Sequence, residues 1–256
     1  MSTATRAPEP RPSDARADAR ADVGTSAGTD AGGGARDVLG EVFDAVLFDM
    51  DGTLISSTRS VERCWLRLAE EFGMPTERIA PFAFHGVPAR DIIDALLPGA
   101  AARRAAALDR VVELEIADTE GIEVLPGTED ALALLAPAGR CAVVTSCGTR
   151  LAAARSGAVA LAVPRVVVAA DDVTRGKPDP EPYLLGAERL GVDVRRCLVV
   201  EDAESGVRSG RAAGAATLGL RTTDPEGPGG DPDLVVADLA AVRFVVGEDG
   251  VRVRAR

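Results

Sequence analysis

The chain has 256 residues, and its 29 Lys and Arg residues against 40 Asp and Glu residues give a formal net charge of −11. This acidity argues against nucleic acid as the main partner and against an anionic membrane surface, because both recruit basic protein surfaces. It is compatible with a small phosphorylated partner molecule, because a local positive field can lie inside an acidic protein.

The cysteines and the single histidine limit which disulfides and metal sites the chain can form. The cysteines have no CxxC pair and no short metal-ligand spacing, so we expect free thiols in a reducing cytoplasm; they are Cys64, Cys141, Cys147 and Cys197. His85 is the single histidine, which excludes a multi-histidine metal site. No apolar run approaches the about 20 residues that span a bilayer, and the N-terminal residues lack the apolar core of a signal peptide.

The order of apolar and polar segments predicts the fold. Residues 1–40 are mostly small, polar and charged, and we predict a disordered tail there because such a segment buries too little apolar surface. An apolar run over 42–48 predicts a buried strand. Later runs predict strands at 141–145, 166–169, 197–200, 215–220 and 234–236, with helices at 149–156, 180–190 and 205–213. This alternation predicts an α/β fold, a Rossmann-like parallel sheet with helices on both faces.

A long segment separates the first predicted strand from the second. It carries helical patterns over 61–72, 90–96 and 101–117 and no strong strand signal. A single crossover helix would need far fewer residues. We therefore predict an inserted helical cap over 57–123, above the edge of the sheet where ligands bind.

The remaining residues divide around that insertion. We predict that 41–56 and 124–246 together form the α/β core. Residues 247–256 alternate apolar and basic side chains, a pattern typical of an edge strand or of a frayed end, and we assign them to a C-terminal tail.

Polar side chains follow several of the predicted strands at the point where each strand ends. They are Asp49 with Asp51, Thr145 with Ser146, Lys177, and Glu201 with Asp202. The carboxyl ends of parallel strands meet at one edge of the sheet, and ligands bind there. We therefore expect these groups to converge on one site.

The acidic groups predict a metal site. Asp49 and Asp51 are two residues apart, so both point to the same side of an extended strand end and repel each other unless a cation or a proton intervenes. Glu201 and Asp202 add two acids at a second strand end. Hard carboxylate oxygens of this kind suit Mg²⁺, which also shares phosphate oxygens with a substrate.

The other groups suit a phosphate. Thr145 and Ser146 offer hydroxyls and backbone N–H groups near the start of a helix, which favours an oxyanion. Lys177, the sole lysine, precedes Pro178 in a loop ahead of a predicted helix, where its charge can neutralise a carboxylate and a phosphoryl oxygen. Metal, cation, hydroxyl and carboxylate nucleophile together indicate phosphoryl transfer through an aspartyl-phosphate.

These motifs carry a family resemblance. The chain resembles the haloacid dehalogenase-like hydrolases, specifically those with a small helical cap inserted after the first motif, over residues 44–236. The matching segments, in chain order, are Asp49-Met50-Asp51-Gly52-Thr53-Leu54, Thr145-Ser146, Gly176-Lys177-Pro178 and Glu201-Asp202.

The resemblance implies a role for each core residue. Asp49 would be the nucleophile, and Asp51 would protonate the leaving oxygen and later activate water. Thr145 and the backbone N–H of Ser146 would bind the transferring phosphoryl group. Lys177 would orient Asp49 and neutralise charge.

The resemblance also implies a ligand set for Mg²⁺. Asp49, Asp202 and the backbone carbonyl of Asp51 would bind the ion. Glu201 would be a further ligand or would lie just outside the ligand set.

The resemblance leaves more than one reaction to consider. A dehalogenase needs no acid at the position of Asp51, and the family's phosphonatases need a cap lysine, whereas Lys177 lies in the predicted core. A phosphatase of small phosphorylated sugars or polyols, of the hexose, hexitol or glycerol phosphate type, is expected. A phosphomutase of the β-phosphoglucomutase type, which keeps the same core, is the alternative.

The cap loop around His85 bears on the substrate. Phe84-His85-Gly86 is similar to the cap loop of sugar- and glycerol-phosphate phosphatases, although Pro88 and Ala89 separate the glycine from Arg90. His85 and Arg90 are therefore candidate substrate contacts, and packing for His85 or a helix-surface position for Arg90 is the other interpretation.

Two non-enzymatic alternatives remain, a receiver domain of two-component signalling and a catalytically silent relative. A receiver domain is about half this length and has no such insertion, and every motif residue is present here. We expect a cytoplasmic enzyme, a monomer or a weak dimer, that acts on a small phosphorylated metabolite and binds neither nucleic acid nor membrane.

Overall fold

A computed structural model describes residues 35–76 and 89–256 of the chain. Its strands are β1 (Ala45–Phe48), β2 (Ile55–Ser56), β3 (Glu123–Val124), β4 (Cys141–Val144), β5 (Val166–Val168), β6 (Cys197–Glu201), β7 (Ala216–Leu220), β8 (Leu234–Val236), β9 (Val242–Gly247) and β10 (Gly250–Ala255). Its α-helices are α1 (Thr58–Phe72), α2 (Ala89–Leu96), α3 (Ala101–Ala117), α4 (Thr128–Leu135), α5 (Thr149–Ala158), α6 (Glu181–Leu190) and α7 (Glu204–Ala213). Within this described part, no helix combines the length and apolar character needed to cross a membrane.

The central feature is a six-stranded sheet in the order β5-β4-β1-β6-β7-β8, and every paired strand in it is parallel. All four residues of β1 are buried, as are all five of β6. Strands that are apolar on both faces are typical of a parallel sheet covered by helices on each side. The predicted α/β class and parallel sheet are confirmed.

The topology brings the ends of β1, β4 and β6 together. The chain runs from β1 to β4 on one side and later returns to β6 on the other, so β1 lies between them. Phe48 is in register with Val143 of β4 and Val200 of β6. The residues that follow these strands therefore emerge side by side, at a point where open α/β sheets form a ligand crevice.

Helices α1, α2 and α3 lie between β2 and β3. These two short strands pair antiparallel, Ile55 with Val124 and Ser56 with Glu123, so the chain leaves and re-enters the sheet region at one place. The helices share their own hydrophobic cluster, separate from those of the sheet, which includes Trp65, Leu68, Ile92, Ile93 and Val111. With two residues each, β2 and β3 are too short for a periodic pattern, which explains why sequence analysis missed them.

The two ends of the described chain differ from the prediction. Residues 1–34 of the expected N-terminal tail lie outside the described residues, but Val38 is buried in the main core cluster, so 35–40 is not a free tail. Residues 247–256 are not a tail either, because β10 pairs antiparallel with β9 and buries Val251 and Val253. Phe43 and Val251 also exchange backbone hydrogen bonds, which ties this hairpin to the segment before β1.

Candidate active site

The sole lysine lies at the centre of the site. Lys177 Nζ donates to Asp49 Oδ1 at 2.5 Å, to Glu201 Oε1 at 2.7 Å and to the carbonyl of Val144 at 2.8 Å. Its side chain is only 4% exposed. Burial disfavours the ammonium, but the charges of Asp49 and Glu201 and their hydrogen bonds outweigh it, so the pKa of Lys177 is raised. The lysine therefore remains a fixed positive charge at the strand ends.

Three buried acids surround this charge. Ligand oxygens of Asp49, Glu201 and Asp202 all lie within 4.8 Å of one another. Burial and the charge of Glu201 raise the pKa of Asp202 to about 7, against hydrogen bonds from Thr223 and Thr53. Burial also raises the pKa of Asp49, and the attraction of Lys177 only partly opposes this. One lysine cannot neutralise three carboxylates, so the cluster could hold a divalent metal ion.

Asp202 is held by the loops that follow β1 and β7. Thr53 Oγ1 donates to its Oδ1 at 3.0 Å, and Thr223 Oγ1 donates to its Oδ2. Gly52, at φ +86°, makes this approach possible, because a Cβ there would lie 2.0 Å from Asp202 Oδ2. Only glycine adopts that backbone without strain and leaves the space open.

Glu201 is oriented by groups on two helices. The Tyr183 hydroxyl of α6 donates to its Oε1 at 2.6 Å. On α7, Gly206 leaves room for this carboxylate, because a Cβ at that position would lie 1.7 Å from the same oxygen. Sequence analysis did not identify the hydrogen bond from Tyr183. A buried tyrosine hydroxyl usually has a polar partner, so its burial is the signal that points to a contact of this kind.

Asp51 faces a different set of partners from Asp49. Its Oδ1 accepts from Ser57 Oγ at 2.7 Å and lies 2.9 Å from Arg155 Nη1, and its Oδ2 accepts from Cys147 Sγ at 3.1 Å. Its carboxylate is not part of the three-acid cluster. The two aspartates of the first motif thus lie in distinct environments, one beside the lysine and the other beside an arginine.

The predicted phosphate-binding residues follow β4. Thr145 is buried, and its Oγ1 accepts a hydrogen bond from the backbone N–H of Cys147 at 3.1 Å. Ser146 is exposed and faces the cavity. The helix predicted over 149–156 is α5, which begins at Thr149 as expected and ends at Ala158.

A cavity of about 610 Å³ lies between the sheet edge and the inserted helices. Its floor includes Asp49, Asp51, Thr145, Ser146, Lys177, Glu201 and Asp202. Its opposite wall includes Trp65, Arg90, Ile92, Val111 and Glu115. Every described residue that the sequence predicted for the site lines this one cavity, whereas His85 lies outside the described residues.

The comparison with known families agrees with this geometry. A model of the haloacid dehalogenase-like hydrolases matches residues 43–214, which include all four motifs. The chain belongs to the haloacid dehalogenase-like hydrolases. The resemblance expected from the motifs is thereby confirmed, and the receiver-domain alternative is excluded.

Curated relatives of this hydrolase include phosphatases. It is 39% identical to hexitol phosphatase A of Escherichia coli over 198 residues, 77% of this chain and 91% of that protein. It is 32% identical to glycerol-1-phosphate phosphohydrolase 1 of Saccharomyces cerevisiae over 192 residues, 70% of this chain and 75% of that one.

Solved structures share its fold. A Thermotoga maritima protein assigned as a β-phosphoglucomutase has 30% sequence identity to this hydrolase and a TM-score of 0.57, with 77% of this chain and 95% of that one covered.

Sequence analysis missed two buried charges of the hydrolase, Arg155 and Glu115. Arg155 Nη2 lies 2.9 Å from Glu115 Oε2. Each residue carries a signal that could have been used, since Arg155 is four residues from buried Leu151 and Glu115 is four from buried Val111. A charged residue on the apolar face of a helix needs a partner.

Proposed function

We propose that this hydrolase is a Mg²⁺-dependent phosphatase of small phosphorylated sugars or polyols that works through an aspartyl-phosphate. The observation that carries the proposal is the pairing of Lys177 with Asp49 inside a buried cluster of excess negative charge. A phosphate ester needs a nucleophile, charge neutralisation and a proton donor, and the residues of this cavity include one group for each need. The hexitol and glycerol phosphate phosphatases among its relatives support the substrate class.

The first step transfers the phosphoryl group to Asp49. Lys177 holds Oδ1 of Asp49, and the other carboxylate oxygen attacks phosphorus. A bond from that oxygen to phosphorus forms while the bond from phosphorus to the leaving oxygen breaks. The electron pair goes to the leaving oxygen, which takes a proton from Asp51 and departs as the alcohol.

The second step releases phosphate. Water attacks the phosphorus of the aspartyl-phosphate and gives a proton to Asp51, which restores its acid form. The bond between Asp49 and phosphorus breaks, and the carboxylate is regenerated. Thr145 and the backbone N–H of Ser146 bind the phosphoryl oxygens during both steps.

Asp49 and Asp202 are the residues that would hold Mg²⁺, with Glu201 beside them. Bound there, the ion neutralises charge on the phosphoryl oxygens. Lys177 and Tyr183 both contact Oε1 of Glu201, so this acid also orients the lysine.

Adding Mg²⁺ to the metal-free protein is expected to raise its melting temperature, and more at about pH 8 than at about pH 5.5. Burial raises the folded-state pKa of Asp202 to about 7. The unfolded value is about 3.9, so the metal-free fold loses stability as the pH rises through about 7. The ion binds the ionised form and restores stability, by about 2.7 kcal/mol at a hundred times Kd.

Thermal unfolding with EDTA or Mg²⁺ at the two pH values measures this effect. Asp202→Asn should abolish most of the response to Mg²⁺. Asp249→Asn, which removes an acid paired with Arg252 near the C-terminus, should keep it. An equal Mg²⁺ response at both pH values would contradict the role of these carboxyls.

The cap side of the cavity supports a substrate whose distal part is uncharged. Among the described residues of α1, α2 and α3 that line the cavity, one side chain is positively charged. It is Arg90, which is exposed. The other lining side chains there are largely apolar, and Glu115 is already paired. A bisphosphate would bring a second phosphate, with up to two negative charges, to this wall, and one exposed arginine neutralises only part of that charge. We therefore place the β-phosphoglucomutase-type reaction second, with Arg90 and His85 as candidate contacts to substrate hydroxyls.

Phosphate release from a panel of monophosphates tests the proposal. Hexitol, hexose and glycerol phosphates are supplied with and without Mg²⁺, and a hexose bisphosphate is added in a separate arm. We expect metal-dependent release from one or a few monophosphates. Isomerised hexose phosphate after the bisphosphate is added, without net release, would favour the mutase. If a folded protein that binds Mg²⁺ releases phosphate from no compound of the panel, the phosphatase proposal is overturned.

The same proposal includes the cytoplasm as the site of action. All four cysteines are free thiols in the structure, and Cys64, Cys141 and Cys197 are buried. Unpaired cysteines are typical of a reducing compartment, which supports this location.

A further inference from the structure

One arginine joins the sheet edge to the inserted helices. Arg155 of α5 is 4% exposed, and its guanidinium has two carboxylate partners. Nη1 lies 2.9 Å from Asp51 Oδ1, and Nη2 lies 2.9 Å from Glu115 Oε2 of α3. The planar guanidinium holds both acids in a fixed relation, which a flexible ammonium cannot do.

The contacts of Asp51 leave its carboxyl little freedom to rotate. Arg155 Nη1 and Ser57 Oγ both contact Oδ1, and Cys147 Sγ contacts Oδ2. Arg155 Nη1 also donates to Cys147 Sγ at 3.1 Å, so the arginine supports both ends of the carboxyl. Without the arginine, this side chain would keep only the two weaker, uncharged partners.

Glu115 gives the arginine its anchor on the inserted helices. It is buried on α3, a helix whose other buried residues are Ala107, Val111 and Leu114. Burial raises the pKa of Glu115, and the charge of Arg155 and a hydrogen bond from Trp65 oppose the rise. A buried acid on an apolar face is costly unless it is paired, so this pair favours the approach of α3 to α5.

The mechanism proposed above does not use Arg155 directly. Arg155 Nε is buried and has no hydrogen-bond partner, so the polar contacts that place the side chain are those of its two Nη atoms. Asp51 must nevertheless point at the leaving oxygen in one step and at water in the next. A small displacement of a proton-transfer group lowers the reaction rate strongly.

We infer that Arg155 is a positioning residue, which orients the proton-transfer carboxyl of Asp51 while Glu115 anchors it to the inserted helices. This inference rests on the proposed function. Docking of α3 and placement of the catalytic acid are thus coupled through one side chain.

The test compares two leaving groups in the purified full-length enzyme with Mg²⁺. An alkyl phosphate from the panel needs a proton on its leaving oxygen. A nitrophenyl phosphate does not, because nitrophenolate departs as the anion. Arg155→Met should lower kcat/KM about 100-fold for the alkyl phosphate and only about tenfold for the aryl phosphate. Glu115→Gln should shift the ratio of the two values in the same direction by a smaller factor, and Arg155→Lys should recover part of the loss.

Matched controls separate this role from general damage. Arg196→Met removes an arginine whose side chain is 56% exposed and pairs with Asp44 before β1, so both rates should stay unchanged. Equal losses for the two phosphates in Arg155→Met and Glu115→Gln would overturn the inference. If Arg155→Met does not fold, the Glu115→Gln ratio decides alone. Failure of the proposed function looks different, because the unmodified enzyme would then release phosphate from neither compound.

Discussion

Asp49→Asn is expected to abolish phosphate release while the fold is retained. The amide is close in shape to the carboxylate, and its oxygen can still accept from Lys177 Nζ. It cannot form the acyl-phosphate bond, so turnover should fall by at least about 10⁴-fold. Removal of one of three buried acids also relieves repulsion, so the metal-free melting temperature should stay the same or rise.

Phosphate release and thermal unfolding in EDTA measure the two parts of this prediction. Asp44→Asn is the matched control, since Asp44 lies just before β1 and pairs with exposed Arg196. It should keep nearly full activity. Residual turnover in Asp49→Asn above about one tenth of the original rate would show that another group is the nucleophile.

Lys177→Met is expected to cause the largest loss of stability of any substitution in the site. The methionine fits the buried stem but leaves Asp49 and Glu201 without the cation that pairs with both, next to the third buried acid, Asp202. Breaking a buried pair on one side costs about 3–5 kcal/mol, because an uncompensated charge remains. Activity should be lost as well, because the lysine also neutralises the transferring phosphoryl group.

Urea unfolding in EDTA measures the stability change. The double variant Lys177→Met with Asp49→Asn should recover part of the loss, because one unpaired acid is removed. Arg189→Met is the control, since this cation pairs with Asp172 at a half-exposed position and should cost about 1 kcal/mol or less. An unchanged unfolding free energy in Lys177→Met would contradict the charge balance described for the site.

The sheet and the core of the site could be predicted because their signals are local. Each apolar run is short and ends at a polar residue, so the end of β6 near Glu201 is visible in the sequence. The parallel topology then brings these ends together at one edge. The bounds of α3 were predicted as they are found, because its alanine-rich sequence favours a helix.

The parts that could not be predicted depend on distant contacts. Arg155 and Glu115 are 40 residues apart on different helices, and no local pattern says that those helices touch. The last strand, β10, shows an alternation of apolar and basic residues. Whether its apolar side is buried depends on where the hairpin of β9 and β10 docks, and its backbone partner there is Phe43, far away in the chain. Tertiary packing, not propensity, decides such features.

Lys177 also determines how the protein can be labelled. It carries the only side-chain amine of the 256-residue chain, and that amine is buried among two carboxylates and a carbonyl. Amine-reactive dyes and linkers need an accessible, unprotonated nitrogen, which this one is not. In the folded protein these reagents should therefore leave Lys177 unmodified. Acylation of Lys177 would then report unfolding, because this amine is accessible only after the strand ends around it separate.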